Sequence, residues 1–426
     1  MTETEILFDL LEKGSSPAHA VSACEKRLTD AGFKRIDYGK EWKLKAGESY
    51  VINHHDTSLF AFTLPEHWGK KEPQIRIAAA HTDFPCLRIK PSCDIRTNVY
   101  AQVNVEVYGG AILNTWLDRP LGVAGRVAVR GEDAFSPKIL TFQSEKNLMT
   151  IPNLAIHMNP GVNKGVEYNK QTELLPICGL IGEEKNADDF LTFLATELSV
   201  KKEDILDFEL TVYNKEKPEF VGIHDELISA SRLDNLTSCA ALVSAIIDGK
   251  RTDGMNMIAL FDHEEIGNGT KQGAGSILLH DMLVRILSEC GFSEEIWSKL
   301  YNGMILSVDV AHGLHPNYVG KMDPTNQPVL GKGFCIKEAC AQSYATDCAA
   351  VAVIQQICER ESIPYQKFVN RSDIAGGKTL GSVASALLPV KTVDVGIPLL
   401  AMHSARELMA VSDQQALKDL VEAYFK

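Results

Sequence analysis

Residues 257–276, MIALFDHEEIGNGTKQGAGS, are the stretch of sequence that best predicts the fold. The apolar run 257–261 is typical of a buried strand, and the acidic cluster that follows contains the adjacent pair Glu264 and Glu265. The glycines beyond it allow the backbone to turn tightly and to approach a ligand. In open α/β sheets, ligands bind beyond the carboxyl ends of the strands. Two carboxylates at that place can divide metal binding and proton transfer between them, although a random Glu-Glu pair is more often a solvated acidic turn.

The same layout, a strand followed by polar residues, recurs along the chain. QIRIAAA at 74–80 predicts a strand that ends at His81 and Asp83, and GMILSVDVA at 303–311 predicts another. Helices are predicted in between, at 235–250, 276–290 and 346–361. Strands that alternate with helices of about 10–15 residues predict a largely parallel sheet. The fold class is therefore α/β, with a mixed, largely parallel sheet sandwiched by helices.

A segment with a different pattern of apolar and polar residues interrupts this alternation of strands and helices. From about residue 91, AQVNVEVYGG, AGRVAVRG and KILTFQ alternate apolar and polar residues with period two, which predicts antiparallel strands. A long irregular segment at 149–176, a helix at 186–200 and a closing strand at 207–214 follow. We therefore predict one domain from residues 1–90 and 225–426, with an inserted β-rich domain at 91–224.

Composition and charge exclude several classes of function. The chain has 43 basic and 56 acidic residues, and its net charge of -13 argues against nucleic acid as a partner. No apolar stretch reaches the roughly 18 residues that a membrane span needs. The N-terminal residues MTETEILFDLLEKG are acidic and lack the features of a signal peptide. Ten scattered cysteines without a CxxC pair are typical of reduced thiols, so the predicted location is cytoplasmic.

Acidic and imidazole side chains recur at predicted strand ends and helix starts, each flanked by apolar or small residues. They are His81, Asp83, Asp234, Glu264, Glu265, Asp309 and His403. A charge in such a place costs several kcal/mol unless it is paired or bound to a metal ion. A lone histidine beside an apolar run is more often a core residue, but the recurrence of this pattern favours one shared site.

Two histidines and several carboxylates suit zinc, manganese or cobalt. The carboxylates are too many for one catalytic zinc ion, so we predict a two-metal site bridged by one aspartate. Two ions about 3.5–4 Å apart can polarise a carbonyl and lower the pKa of a shared water. The HExxH motif is absent, so the chain is not a zincin. The residues alone do not separate the role of Glu264 from that of Glu265.

Five motifs follow one another in order: HTD at 81–83, SRLDN at 231–235, DHEEIGNGTKQGAGS at 262–276, SVDVAHGLHPNY at 307–318 and MHSARE at 402–407. They closely resemble the motifs of the M18 metallopeptidases, the aspartyl aminopeptidases, and the resemblance runs nearly end to end. It implies a di-metal aminopeptidase fold whose inserted domain serves dimerisation. It also implies removal of N-terminal Asp or Glu from peptides, and assembly of the subunits into a tetrahedral dodecamer.

The resemblance implies a role for each candidate residue. Asp234 would bridge two divalent ions, zinc or alternatively manganese or cobalt. His81 and Asp309 would complete one metal site, and Glu265 and His403 the other. Glu264 would be the general base that takes a proton from the bridging water, and Asp83 would hydrogen-bond the ring of His81.

Further positions enter through the resemblance alone. His157 in the insert would reach a neighbouring subunit's active site and stabilise the tetrahedral intermediate. His312 and Tyr344 would contact the substrate, and Lys337 would pair with its acidic side chain. A chain of net charge -13 repels acidic substrates at long range, so their recognition needs a local, buried cation such as Lys337. Ser343 replaces the arginine of the family's usual QRYAT, which puts the strength of the acidic preference or of assembly in question.

Two alternatives stay open at this level. One is a related di-metal amidase or carboxypeptidase with another substrate. The other is a non-catalytic peptide-binding shell, in which a metal ligand set together with a general base would have no purpose.

Overall fold

The computed structural model describes residues 1–181 and 189–426, which form two compact units. The larger unit comprises Met1–Asp83, Pro218–Met402 and Glu407–Lys426, and the smaller comprises Phe84–Lys217 and His403–Arg406. The smaller unit begins before residue 91 because Cys86 already pairs with Tyr108 inside its sheet. The predicted role of the insert in dimerisation stays a prediction.

Helices and strands follow the chain in this order. The α-helices are α1 (Glu3–Lys13), α2 (Pro17–Asp30), α3 (Phe190–Glu197), α4 (Leu233–Asp248), α5 (Leu278–Glu289), α6 (Ile296–Tyr301), α7 (Cys348–Glu361), α8 (Leu380–Leu387) and α9 (Val411–Phe425). The strands are β1 (Lys34–Arg35), β2 (Ser49–His54), β3 (Ser58–Thr63), β4 (Ile75–His81), β5 (Cys86–Thr97), β6 (Tyr100–Tyr108), β7 (Leu121–Val129), β8 (Lys138–Gln143), β9 (Ile177–Leu180), β10 (Ile205–Asn214), β11 (Glu219–Val221), β12 (Leu227–Ala230), β13 (Met255–Phe261), β14 (Met304–Val308), β15 (Ala311–His312), β16 (Phe334–Glu338), β17 (Tyr365–Val369), β18 (Lys391–Gly396), β19 (Pro398–Leu399) and β20 (Glu407–Ala410).

A nine-stranded sheet is the centre of the larger unit as described. Its strand order is β1-β2-β3-β13-β4-β14-β18-β16-β17. The neighbours β13, β4, β14 and β18 run parallel, whereas β3 and β16 run antiparallel to β13 and β18. The predicted α/β class with a mixed, largely parallel sheet is therefore confirmed. The carboxyl ends of the four central strands lie at one edge of the sheet.

Helices cover both faces of this sheet, and β4 shows why. Its side chains alternate between the two faces with the period of two that a strand imposes. Ala78 and Ala80 pack into the core that contains residues of α4 and α9. Ile77 and Ala79 pack into the opposite core, which contains residues of α5 and α8. Because both faces are buried, the strand is apolar along most of its length, as expected for a central strand of an α/β sheet.

The smaller unit is built on an antiparallel sheet. Among its described residues the strand order is β8-β7-β10-β5-β6-β9, and each neighbouring pair is antiparallel. The period-two pattern correctly predicted β6, β7 and β8. Residues 186–188 of the predicted helix lie outside the described residues, and α3 begins at Phe190. Within the described parts of both units, every helix is too short or too polar to serve as a membrane span.

The carboxyl group of Glu3 lies inside the larger unit. Glu3 is 7% exposed, and its Oε1 accepts a hydrogen bond from Gln414 Nε2 at 3.2 Å. Burial raises the pKa of Glu3 from 4.5 to about 7, so the folded protein binds this proton more tightly than the unfolded chain. The contribution of Glu3 to the free energy of unfolding should therefore fall as the pH rises between about 4.5 and 7, and then level off.

Glu3→Gln should remove this pH dependence. We expect the variant to be more stable than the parent protein at pH 8 by up to about 3 kcal/mol, and to differ little at pH 5. Urea unfolding at both pH values measures the difference. Glu12→Gln, an exposed position of the same helix, is the matched control. An equal shift in both variants would show that burial of Glu3 is not the cause.

Candidate metal centre

The carboxyl edge of the central strands carries several of the predicted site residues. His81 is the last residue of β4, and Asp309 follows directly after β14. A 3₁₀ turn, Glu264–Ile266, lies just beyond β13 and carries both adjacent glutamates. Asp234 lies in the first turn of α4. Since parallel neighbours end at the same edge, residues far apart in the chain are brought together here.

The imidazole ring of His81 is the centre of this cluster. Its Nε2 lies 3.4 Å from Asp234 Oδ1 and 3.4 Å from Asp309 Oδ1. On the other side of the ring, Nδ1 lies 3.0 Å from the main-chain oxygen of Asp83 and 3.4 Å from its Oδ1. His81 is 1% exposed, Asp234 3% and Asp309 8%. The ring thus presents one nitrogen to two carboxylates and is oriented through the other.

Asp83 also fixes the turn that carries the two glutamates. Its Oδ1 accepts the main-chain N–H of Glu264 at 3.1 Å, and its Oδ2 accepts that of Glu265 at 3.1 Å. The turn begins after His263, which has a φ of 65°, and ends at Gly267, which has a φ of 100°. Gly267 suits this position because positive φ carries little steric cost without a side chain. One fully buried carboxylate therefore holds both glutamates against the end of β4.

The donor atoms of this cluster fit a divalent metal ion. One ligand atom from each of His81, Asp234 and Glu265 lies within 4.8 Å of the other two. An imidazole nitrogen together with carboxylate oxygens is a ligand set that suits zinc. The three residues are buried or partly buried, so the cost of keeping several acidic groups together favours a compensating cation.

The raised pKa values of His81 and Glu264 also favour a bound cation in this cluster. Burial alone would lower the pKa of His81, but hydrogen bonds to Asp234, Asp309 and Asp83 hold it well above its usual range. Burial raises the pKa of Glu264 to about 8; the charge of His81 opposes this shift, and the carboxylates of Asp309, Asp83 and Asp234 add to it. A divalent cation supplies the positive charge that this group of acids otherwise takes from protons.

Lys337 is a buried cation at the same edge. It lies on β16 and is 3% exposed. Its Nζ donates to the main-chain oxygen of Val310 at 2.7 Å and lies 4.0 Å from Asp309 Oδ2. The same Nζ lies 4.8 Å from the ring centroid of Tyr344. Although burial alone would lower its pKa, the nearby charge of Asp309 raises it, so Lys337 carries its charge beside the acidic cluster.

Tyr344 and His312 face a common aromatic residue. The ring centroid of Phe368 lies 6.2 Å from that of Tyr344 and 5.9 Å from that of His312. His312 belongs to β15, which starts two residues after Asp309. The structure therefore places both predicted substrate contacts around Phe368, with Tyr344 also next to Lys337.

The remaining two predicted residues belong to the smaller unit. His403 has a φ of 67°, and its Nδ1 lies 3.2 Å from the main-chain oxygen of Gly110. His157 is exposed on the irregular segment between β8 and β9. The predicted roles of both histidines stay predictions.

Two residues that sequence reasoning left without a role contact the cluster. Glu407 Oε2 accepts the main-chain N–H of Asp234 at 3.1 Å. Asn235 Nδ2 donates to the main-chain oxygen of Val308, the residue before Asp309, at 3.0 Å. Both lie inside quoted motifs, SRLDN and MHSARE. Asn235 directly follows the predicted ligand Asp234, and Glu407 shares a motif with the predicted ligand His403. Their hydrogen-bond partners could not be predicted, because these depend on the packing of distant segments.

Comparison with known proteins gives consistent matches along the chain. Residues 10–425 match the family model described as "Aminopeptidase I zinc metalloprotease (M18)". A Clostridium acetobutylicum protein named "Probable M18 family aminopeptidase 2" is 40% identical over 422 residues, covering 98% of this chain and 97% of that protein. A Clostridium novyi protein of the same name is 42% identical over 410 residues, covering 96% and 94%. The solved structure described as "Cryo-EM structure of the Ape4 and Nbr1 complex" has a TM-score of 0.94 at 33% identity, covering 99% of this chain and 85% of that chain.

Proposed function

The chain belongs to the M18 family of zinc metalloproteases and is an aminopeptidase, and we propose roles for its individual residues and a preferred class of peptide. Membership of this family identifies the chain as a peptide hydrolase that acts at the N-terminus of its substrate. The alternatives of an amidase, a carboxypeptidase and a non-catalytic shell are thereby set aside.

We propose that the acidic cluster holds two divalent ions, with zinc as the first choice. The convergence of His81, Asp234 and Glu265 donor atoms within 4.8 Å is the observation that supports a metal site here. Asp309 joins the set because its Oδ1 lies 3.4 Å from His81 Nε2. His403 and the number of ions rest on the resemblance to the family alone.

Glu264 is the proposed general base. Bound divalent ions would polarise the scissile carbonyl and lower the pKa of a water molecule. The Glu264 carboxylate then accepts a proton as the water oxygen attacks the carbonyl carbon, and it returns that proton to the nitrogen of the leaving amine as the C–N bond breaks. The hydrogen bond from Glu264 N–H to Asp83 supports this role, because it holds the main chain of the base in one place.

The proposed substrate is a peptide that begins with Asp or Glu. Support comes from Lys337, a buried ammonium group next to Asp309 and to the ring of Tyr344. A hydrogen bond between an ammonium and a substrate carboxylate contributes roughly 1.5–3 kcal/mol. That corresponds to about a ten- to hundredfold preference over a neutral side chain.

Lys337→Met tests the acidic preference, because methionine keeps most of the volume and removes the charge. We expect the ratio of kcat/KM for Asp-initiated over Leu-initiated peptides to fall about ten- to a hundredfold, with a smaller change for the Leu peptide. Lys337→Arg retains a cation and should keep part of the preference. Metal content is measured in parallel, since Lys337 lies beside Asp309. An unchanged Asp-over-Leu ratio in a metal-loaded Lys337→Met enzyme would refute the proposed substrate class.

A substrate panel tests the proposed function as a whole. The metal-depleted protein is reloaded with zinc, manganese or cobalt and assayed on Asp-, Glu-, Ala- and Leu-initiated peptides. We expect the Asp and Glu peptides to be cleaved fastest. Peptides with an acetylated N-terminus are the control and should resist cleavage. Equal rates on all four free peptides would contradict the acidic preference and leave a general aminopeptidase.

A homo-oligomer, a tetrahedral dodecamer, is the proposed assembly, in which His157 serves the active site of a neighbouring subunit. The resemblance to the family supports this. A second support is the exposed apolar surface around His157, where Leu154 is 52%, Ile156 54% and Met158 72% exposed. Large exposed apolar side chains in one segment are typical of an interaction surface. Light scattering of the purified protein measures the mass, and a monomer at all concentrations would refute the assembly.

A cytoplasmic location is proposed as well. All ten cysteines are free thiols in the structure, and most of them are buried. Free thiols are typical of proteins that stay in a reducing compartment.

A further inference from the structure

The first turn of α4 departs from helical geometry at the residue that carries the central carboxylate. Arg232, which precedes the helix, has a φ of 63° in the left-handed region. Asp234 has a ψ of 105° and Asn235 a φ of -124°, both outside the helical range. Main-chain N–H and C=O groups of an irregular turn lack the hydrogen-bond partners of a regular helix. When such groups are buried, they need hydrogen-bond partners elsewhere in the protein. Asp234 is 3% exposed and Asn235 fully buried, so these partners must come from the protein.

Glu407 is one such partner. Its Oε2 accepts the N–H of Asp234 at 3.1 Å, and Glu407 is itself only 2% exposed. Glu407 is the first residue of β20 and is paired with Ala230, the last residue of β12. The strand that leads into the turn and the side chain that holds the turn therefore belong to one small sheet.

Asn235 holds the same turn from the other side. Its Nδ2 donates to the main-chain oxygen of Val308 at 3.0 Å. Val308 ends β14, and the next residue, Asp309, places its Oδ1 3.4 Å from His81 Nε2. Asn235 thus connects the turn that carries Asp234 with the strand end that carries Asp309.

We propose that Glu407 and Asn235 are positioning residues of the metal centre, which hold the carboxylates of Asp234 and Asp309 at the spacing a metal ion requires. This inference rests on the proposed function, in which Asp234 and Asp309 are ligands. Ligands must be held to within about 0.5 Å of the working geometry, and buried side chains with fixed partners provide that precision. Loss of an outer partner of a ligand typically weakens metal binding about 10- to 100-fold.

A purely structural role would give a different result, and Asp413 provides the matched control. Asp413 is also fully buried, and its carboxylate accepts main-chain N–H groups, those of Gly331 and Gly333, each at 2.8 Å. It serves a loop next to α9 instead of a ligand-bearing turn. Replacing either carboxylate removes a buried acceptor of main-chain N–H groups, but only the change at Glu407 should alter metal affinity.

The experiment is a titration of the metal-depleted, full-length protein with Zn²⁺ in competition with a chromophoric chelator. Glu407→Ala and Asn235→Ala should each weaken Zn²⁺ binding about 10- to 100-fold, with the circular dichroism spectrum of the parent protein. Glu407→Gln keeps an acceptor oxygen and should recover part of the affinity. Asp413→Ala should bind Zn²⁺ as the parent does. If Glu407→Ala fails to fold, Glu407→Gln and Asn235→Ala carry the same comparison.

Parental Zn²⁺ affinity in folded Glu407→Ala and Asn235→Ala would overturn the inference, and so would an equal loss in Asp413→Ala. Asp234→Asn, titrated in the same way, separates this inference from the proposed function. If Asp234→Asn keeps full affinity, the ligand assignment fails and the positioning role fails with it. If Asp234→Asn loses Zn²⁺ while the Glu407 and Asn235 variants do not, the positioning role alone is wrong.

Discussion

Glu264→Gln is expected to lower kcat on an Asp-initiated peptide by about 10²–10⁴-fold and to leave the metal content unchanged. Glutamine has nearly the size of glutamate but cannot accept the proton of the attacking water. The main-chain N–H of residue 264 still reaches Asp83, so the turn should keep its geometry. The measurements are kcat at saturating substrate and metal ions per chain by elemental analysis.

Glu264→Asp is the companion variant for this prediction. Aspartate retains a base but withdraws it by one methylene, so its activity should lie between that of the parent and that of Glu264→Gln. A Glu264→Gln enzyme that turns over at nearly the parental rate would show that another group accepts the proton. A variant that loses its metal together with its activity would make Glu264 a ligand instead of a base.

Glu265→Gln is expected to lose metal, and with it nearly all activity. Glu265 contributes an oxygen to the set of donor atoms that it forms with His81 and Asp234. Zinc is bound in proteins by the charged oxygens of Asp and Glu, and a neutral amide oxygen is a weaker ligand than a carboxylate. Elemental analysis after dialysis should find fewer ions per chain than in the parent, and excess Zn²⁺ should restore part of the activity.

Comparing Glu264→Gln with Glu265→Gln separates the role of a base from that of a metal ligand. Glu264 and Glu265 are neighbours in one turn, and both are held through their N–H groups by Asp83. The same chemical change at adjacent positions should therefore have similar effects on folding. If Glu265→Gln keeps every ion and Glu264→Gln does not, the two roles are exchanged.

Much of the fold was predictable from local patterns. The apolar run 257–261 became the strand β13, and QIRIAAA became β4, because a strand buried on both faces requires apolar residues throughout. The period-two segments after residue 91 became an antiparallel sheet, because a strand with one buried and one exposed face alternates apolar and polar residues. The exact unit boundaries were less accessible, since the pairing of Cys86 with Tyr108 is a contact between separate strands.

The α/β class, the family and the identity of the candidate ligands were predictable without any coordinates, because apolar periodicity and the order of motifs are properties of the chain alone. Which side chains converge, and which partners hold them, became known from the three-dimensional structure. It placed His81 Nε2 at 3.4 Å from two aspartates, turned both glutamates onto Asp83, and gave Asp234 its partner in Glu407. These contacts join residues that are far apart in the chain. His81, Asp309 and the two glutamates meet because parallel strands end at one edge of a sheet, whereas Glu407 reaches Asp234 because β20 pairs with β12, the strand that leads into α4.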